Sequence, residues 1–218
     1  MRLSAVVFAF AGLALATACG GDDSGGPVPT ATGNIATNLE IPAGSPQALP
    51  PGAYIASNFE PEASFRAGEG WSVVVVDIAF ISLVRTSPKA DCLCIVHPDG
   101  VYDPAGGAKT DLPADLTAWL QQRPGLETTN ASSVQVGNRA ARQMEARVAE
   151  GATLVDGRLP LFAAGDQTYS MAPGDRGHII VIEHPSGPLI VAIRAPQAEF
   201  TDYFRAVETV VGSLEFGG

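Results

Sequence analysis

Apolar and polar positions divide the chain into three stretches. Leu3 to Ala16 is an almost unbroken apolar run. From there to residue 50, large apolar side chains are sparse. Beyond Gly52 the pattern becomes regular. Tyr54, Ala56 and Asn58 alternate with Ala53, Ile55 and Ser57, which predicts a short strand, and Phe65 marks a second. Gly68-Glu69-Gly70 predicts a turn into Trp71. The β-branched run Val73-Val74-Val75-Val76 within Trp71 to Ile78 suits a strand buried on both faces. Ala79 to Arg85 and Cys92 to His97 are further strand candidates, the second closed by Pro98-Asp99-Gly100.

The period then changes. From Leu112 to Gln122, Leu116, Trp119 and Leu120 fall at i, i+3 and i+4, which predicts a helix opened by Asp111 or Pro113 and ended by Pro124-Gly125. Val134 to Val136, a Gly137-Asn138 turn and Ala140 to Val148 predict a hairpin. In its second strand Ala140, Arg142, Met144 and Ala146 share one face and Ala141, Gln143, Glu145 and Arg147 the other, so one side is expected to be wet. Residues 149–167 are Gly-rich and read as loop. Tyr169 and Met171 mark a short strand. His178 to His184 and Leu189 to Arg194 are strands joined by Pro185-Ser186-Gly187-Pro188. Ala198 to Val211 is a helix with an apolar stripe of Phe200, Phe204, Val207 and Val211. Leu214 and Phe216 close the chain as an edge strand. Strands, one helix, strands and a final helix, with hairpins that require antiparallel pairing, predict an α+β fold: an antiparallel sheet with two helices packed on one face.

The first stretch reads as an export signal. Arg2 supplies a positive n-region, and the apolar run is short for a spanning helix, which needs about 20 residues. Leu15-Ala16-Thr17-Ala18-Cys19 resembles the lipobox of bacterial lipoprotein precursors, with small residues before a Cys. Where that family prefers Leu three places before the Cys, this chain has Ala16. The resemblance implies cleavage after residue 18 and lipidation of Cys19, which would place the protein outside the cytoplasm and hold it to a membrane by acyl chains. The alternative is an ordinary secretory signal. Residues 19–50 are then the lipidated Cys and a tether of Gly, Pro, Ser and Thr, which cannot bury enough surface to offset ordering entropy. Residues 51–218 are expected to form a single domain.

Several short motifs of that domain resemble exported bacterial lipoproteins with a PsbP-like α/β/α sandwich. They are Gly52-Ala53-Tyr54, Phe65, Gly70-Trp71, the helix carrying Leu116 and Trp119, Val134-x-Val136-Gly137, and Ser213-Leu214-Glu215-Phe216. Asn138 stands where a second Gly is expected. The resemblance implies a small-ligand binder or assembly factor without chemistry of its own.

Composition narrows the partners. Hydrophobic residues make up 46% of the chain, enough for a core. The formal net charge of −10 argues against nucleic acid, whose phosphates need clustered Lys and Arg. Three Cys are present. With Cys19 lipidated, Cys92 and Cys94 remain. At i and i+2 of a flat strand their side chains share a face but stand too far apart for a relaxed disulfide, whereas an oxidising compartment favours pairing. Disulfide, buried thiols and a functional thiol pair are all open. Adding His97 makes a possible soft-ligand set for copper or zinc, and with it a metal or redox accessory role. His178 and His184 read as strand-end residues. Asp111 and Asp115 suit a helix N-terminus, and Trp71 and Trp119 suit core packing. The chain lacks a G-x-S-x-G elbow, an H-E-x-x-H helix and a Walker-type loop. An enzyme is therefore not expected, no catalytic residue is assigned, and no cofactor or metal is expected; the remaining alternative is an enzyme whose residues follow none of these motifs. The leading expectation is a lipid-anchored module of the cell envelope that binds a small or lipophilic ligand or an envelope protein.

Overall fold

A computed structural model of the chain describes residues 39–41, 46–85, 92–105 and 107–218. Cys19 and the expected signal segment lie outside the described residues. From Ala36 to Gly218 the chain is one compact unit. Its elements, in chain order, begin with β1 (Leu39–Glu40), β2 (Gln47–Leu49), β3 (Gly52–Ala56), β4 (Ala63–Ala67), β5 (Trp71–Val76), β6 (Phe80–Arg85) and β7 (Cys92–Val96). There follow β8 (Gly100–Tyr102), β9 (Lys109–Thr110), α1 (Leu116–Gln122), β10 (Leu126–Thr128), β11 (Ser132–Val136) and β12 (Arg139–Val148). The last are β13 (Leu159–Ala164), β14 (Gln167–Met171), β15 (Asp175–Ile182), β16 (Leu189–Pro196), α2 (Phe200–Val211) and β17 (Glu215–Phe216).

A nine-stranded sheet forms the spine, in the order β10-β12-β15-β16-β7-β6-β5-β2, with β11 also on β12; all its pairs are antiparallel. Its central strands read as near-continuous apolar runs because both faces are covered. Leu93 and Ile95 of β7, Ile180 and Ile182 of β15, and Val191 and Ile193 of β16 point into one core. Cys92, Cys94 and Val96, then Ile179, Val181, Ile190 and Ala192, point into the other. The first core is closed by α2 and the small sheet β1-β3-β4-β17, through Tyr54, Phe65, Phe200, Tyr203 and Phe216. The second is closed by α1 and the small sheet β14-β13-β8-β9, through Leu116, Leu120, Phe162 and Tyr169.

The α+β class holds, with corrections. The two helices sit on opposite faces of the large sheet, not on one. Residues 39–41 and 46–49, read as tether, belong to the folded body: β1 pairs with β3 and β2 with β5. The 149–167 stretch is not all loop. It contains β13, whose six residues are all buried; its neighbouring glycines and Pro160 mask an apolar run of strand length. Pro160 sits at a register irregularity, where the ladder tolerates a missing N–H. Helix α1 starts four residues later than its predicted opening at Leu112, because Asp115 provides the cap: its Oδ1 accepts the Ala118 N–H at 2.9 Å. The buried stripe of α2 is Phe200, Tyr203, Val207 and Val210, one step round from the predicted one. Strand β12 is wet in part on both faces rather than along one: Ala141 enters the first core and Met144 and Ala146 the second, while Ala140, Arg142 and Arg147 are exposed. In β5 a register shift between Val73 and Val75 leaves Val74 and Val75 only half-buried. Two glycines are required by geometry. A Cβ on Gly100 would meet the Thr110 carbonyl oxygen at 2.6 Å. Gly137 holds a positive φ of 57° at the first central position of its hairpin, as a type II′ turn demands.

Candidate functional site

The second core does not reach the end of the large sheet. Beside the first turn of α1 and the segment before it, a strip of sheet is left bare and becomes the floor of an open groove. Register places Ser133, Arg142 and Val181 in one row of that floor. Gln135, Ala140 and Glu183 form the next row, where the Glu183 N–H donates to the Ala140 carbonyl at 3.0 Å. One wall is the segment from Leu112 to Ala118 with Gln121; the other is Gly187-Pro188 in the β15–β16 turn. The groove encloses about 650 Å³. A second depression of about 500 Å³ shares Arg142 and Glu183 and runs on to Ser133, Val134 and Gln135 of β11. The size falls in the range of small-ligand sites, roughly 300–1,000 Å³.

Several polar groups of the groove are already committed. Asp115 caps α1. The His184 Nε2 donates to the Gly217 carbonyl at 2.9 Å, while its Nδ1 faces the Ser186 hydroxyl at 2.7 Å and the Ser186 N–H at 3.2 Å. Both ring nitrogens are thus engaged in holding the chain terminus and the turn. Arg142 reaches the Ala131 carbonyl at 3.1 Å but remains exposed, as does Glu183. The charges presented to a ligand on the groove floor are these two, of opposite sign.

Cys92 and Cys94 are joined by a disulfide within β7. Their Cα atoms are 5.8 Å apart. Two residues of flat strand would span about 6.4–6.8 Å, so the strand is pinched locally, which answers the objection drawn from ideal strand geometry. The ladder survives: Cys94 still pairs with Ala192 and with Ser82. Both sulfurs are buried in the second core, with the Ser82 hydroxyl 3.6 Å from Cys92 and 3.9 Å from Cys94. His97 is elsewhere. Its Nδ1 donates to the Glu60 carbonyl at 2.6 Å and its Nε2 lies 3.3 Å from the Ser186 carbonyl. The sulfurs and this ring do not converge, and no group of three or more potential ligands that could hold a metal occurs among the described residues. The soft-ligand set built on Cys92, Cys94 and His97 is overturned.

Other singled-out residues serve packing. Trp71 is buried beside Tyr203, with ring centroids 6.1 Å apart. Trp119 packs on the second core against Phe162. His178 is not a bare strand-end residue: it sits inside β15, contacts the Phe204 ring edge-on at 4.9 Å, and burial lowers its pKa. Sequence reasoning missed two buried charged groups. Arg123, only 3% exposed, donates to the Pro160 carbonyl at 2.9 Å and lies 4.9 Å over the Trp119 ring. Its Nε and Nη1 have no partner among the described residues. Asp175 accepts the Ala172 N–H at 2.9 Å between Arg194 at 3.5 Å and Arg158 at 3.7 Å. Beside them burial, with Asp175 adding to it, pushes the Tyr169 phenol above its ordinary pKa. Nothing in the local pattern flags an Arg after a helix as buried; only Trp119, four residues earlier, hints at stacking.

No protein-family model matches the chain, and no curated protein matches it. Solved structures do. The solution structure of cyanobacterial PsbP (CyanoP) from Synechocystis sp. PCC 6803 superimposes with a TM-score of 0.43 at 12% identity, covering 81% of this chain and 95% of that one. LpqN, involved in cell envelope biogenesis of Mycobacterium tuberculosis, superimposes with a TM-score of 0.38 at 13% identity, covering 80% and 90%. Superpositions this loose carry no inference about this chain; its α+β class rests on its own elements. No helix among the described residues is long and apolar enough to cross a membrane.

Proposed function

We propose that this protein is a lipid-anchored, extracytoplasmic accessory module of the cell envelope that acts by binding rather than by chemistry, with the groove between α1 and the β15–β16 turn as its binding site. The observation that carries this reading is where the space lies. Each core is a cluster of buried apolar side chains, whereas the bare end of the sheet forms an open groove lined by Arg142 and Glu183. A lipophilic ligand enclosed within the fold is therefore not favoured over an elongated, partly polar one lying along the sheet. Small side chains at Ala114, Ala118, Ala140 and Gly187 leave room for it, and Arg142 and Glu183 give it a polarity to match. The anchor rests on Cys19 and the apolar run before it.

Two experiments test the halves of the proposal. Cys19→Ser should move the protein from the membrane to the soluble fraction; retention in the membrane overturns the anchor. Native mass spectrometry of the detergent-extracted full chain should show a bound adduct that Ala118→Trp, which fills the groove, removes. A chain free of adduct, or one whose adduct survives the substitution, overturns the groove.

A further inference from the structure

At one end of the large sheet β10 and β11 both lie on β12, and among the described residues β11 pairs with β12 alone, so its outer edge carries no strand. Ala140 directs its carbonyl toward β15, where it accepts the Glu183 N–H. Antiparallel pairing alternates direction, so Gln135, directly opposite Ala140, turns its own N–H and carbonyl away from β12. The same holds for Ser133, two residues back. Edge strands are normally blunted by Lys, Pro or other charges. Here the chain from Thr128 to Asn138 holds no charged residue and no proline, within a protein of net charge −10. Ser132, Ser133 and Gln135 are exposed, and Val134 is half-buried.

We propose that β11 is a self-association edge, and that its occupant is β11 of a second copy of this chain, paired antiparallel about Val134. The outward groups are self-complementary in that arrangement: Ser133 of each copy meets Gln135 of the other. Two copies of an acidic protein repel wherever acidic surfaces oppose, and this charge-free edge is where they can meet without that cost. Pairing would extend the nine-stranded sheet across the two-fold axis and leave the α1 wall of the groove in place.

Cross-linking in intact membranes tests the register. The two copies of Val134 would form a non-hydrogen-bonded pair with Cα atoms about 4.5 Å apart, so Val134→Cys in the full chain should give a cross-linked dimer on mild oxidation. Adding Gln135→Pro removes an outward N–H while leaving the β12 ladder intact, and should cut the dimer yield at least about tenfold. Gln135→Lys in its place should do the same, which separates a lost edge from a misfolded chain. A Val134→Cys chain that stays monomeric, one that cross-links to a different protein, or a dimer yield unmoved by both Gln135 substitutions overturns the proposal.

Discussion

His178 lies between Gln143, 3.2 Å from its Nε2, and the edge of Phe204, with Glu145 and Arg176 as the charges that face it. Burial holds its pKa below the ordinary value of 6.5; Glu145 opposes that shift and Arg176 adds to it. A depressed histidine leaves the unfolded chain holding the extra proton, so the stability it supports is full above about pH 6.5 and is lost as pH falls through the lower folded pKa. Tm of the protein minus that of His178→Leu should therefore be flat above about pH 7.5 and decline toward pH 5. Arg123 poses the opposite problem, a permanent charge that is buried with one hydrogen bond to Pro160 and two nitrogens unmatched. Replacing a poorly paired buried ion by an apolar side chain of similar length is often neutral or stabilising. Arg123→Met should shift the unfolding free energy by roughly 0 to +2 kcal/mol in urea titration. Arg123→Ala, which also loses the stack on Trp119, should destabilise by about 1–3 kcal/mol.

Helix α1 has seven residues, too few to persist alone. It depends on Leu116 and Leu120 in the second core and on the Asp115 cap. Asp115→Ala should lower stability by about 1 kcal/mol. Because the same turn forms the groove wall, hydrogen exchange of residues 116–119 should quicken more than that of β16. The start of α1 was legible only to within a turn, since Asp111, Pro113 and Asp115 all suit a helix opening and propensity does not rank them. The choice falls to the position that buries Leu116 and Leu120 in the second core and brings Trp119 against Phe162. The strand β13 was obscured for a related reason. Its apolar run lies between glycines and contains a proline, so local chemistry argues for loop while burial against β8 and β14 imposes a strand. In β15 and β16 the local pattern and the burial agree, and those strands are plain from the sequence.

The molecule carries one tryptophan in each core, Trp71 on the α2 side of the large sheet and Trp119 on the α1 side. Alternate residues of β7, β15 and β16 serve both cores, so neither can melt without exposing the strands that support the other. Trp71→Phe and Trp119→Phe variants, each leaving a single tryptophan to report on one core, should show urea transitions with coincident midpoints once each variant's own stability is allowed for by circular dichroism. Separate fluorescence and dichroism midpoints in either variant would mean that the cores unfold independently.

Local chemistry alone suggested the export reading and determined both helices, most of the central strands and the α+β class, because alternation, helical period and turn residues act over a few positions. Partition was a tertiary decision. The apolar runs are compatible with helices on one face or on two, and only the register of β7, β15 and β16 shows that each strand feeds a core on either side. The Cys92–Cys94 link depends on a local pinch that an ideal strand lacks. The groove was illegible for the same reason: Arg142, Glu183 and Ala118 come from separate elements, and they meet only because the second core stops short of the sheet's end.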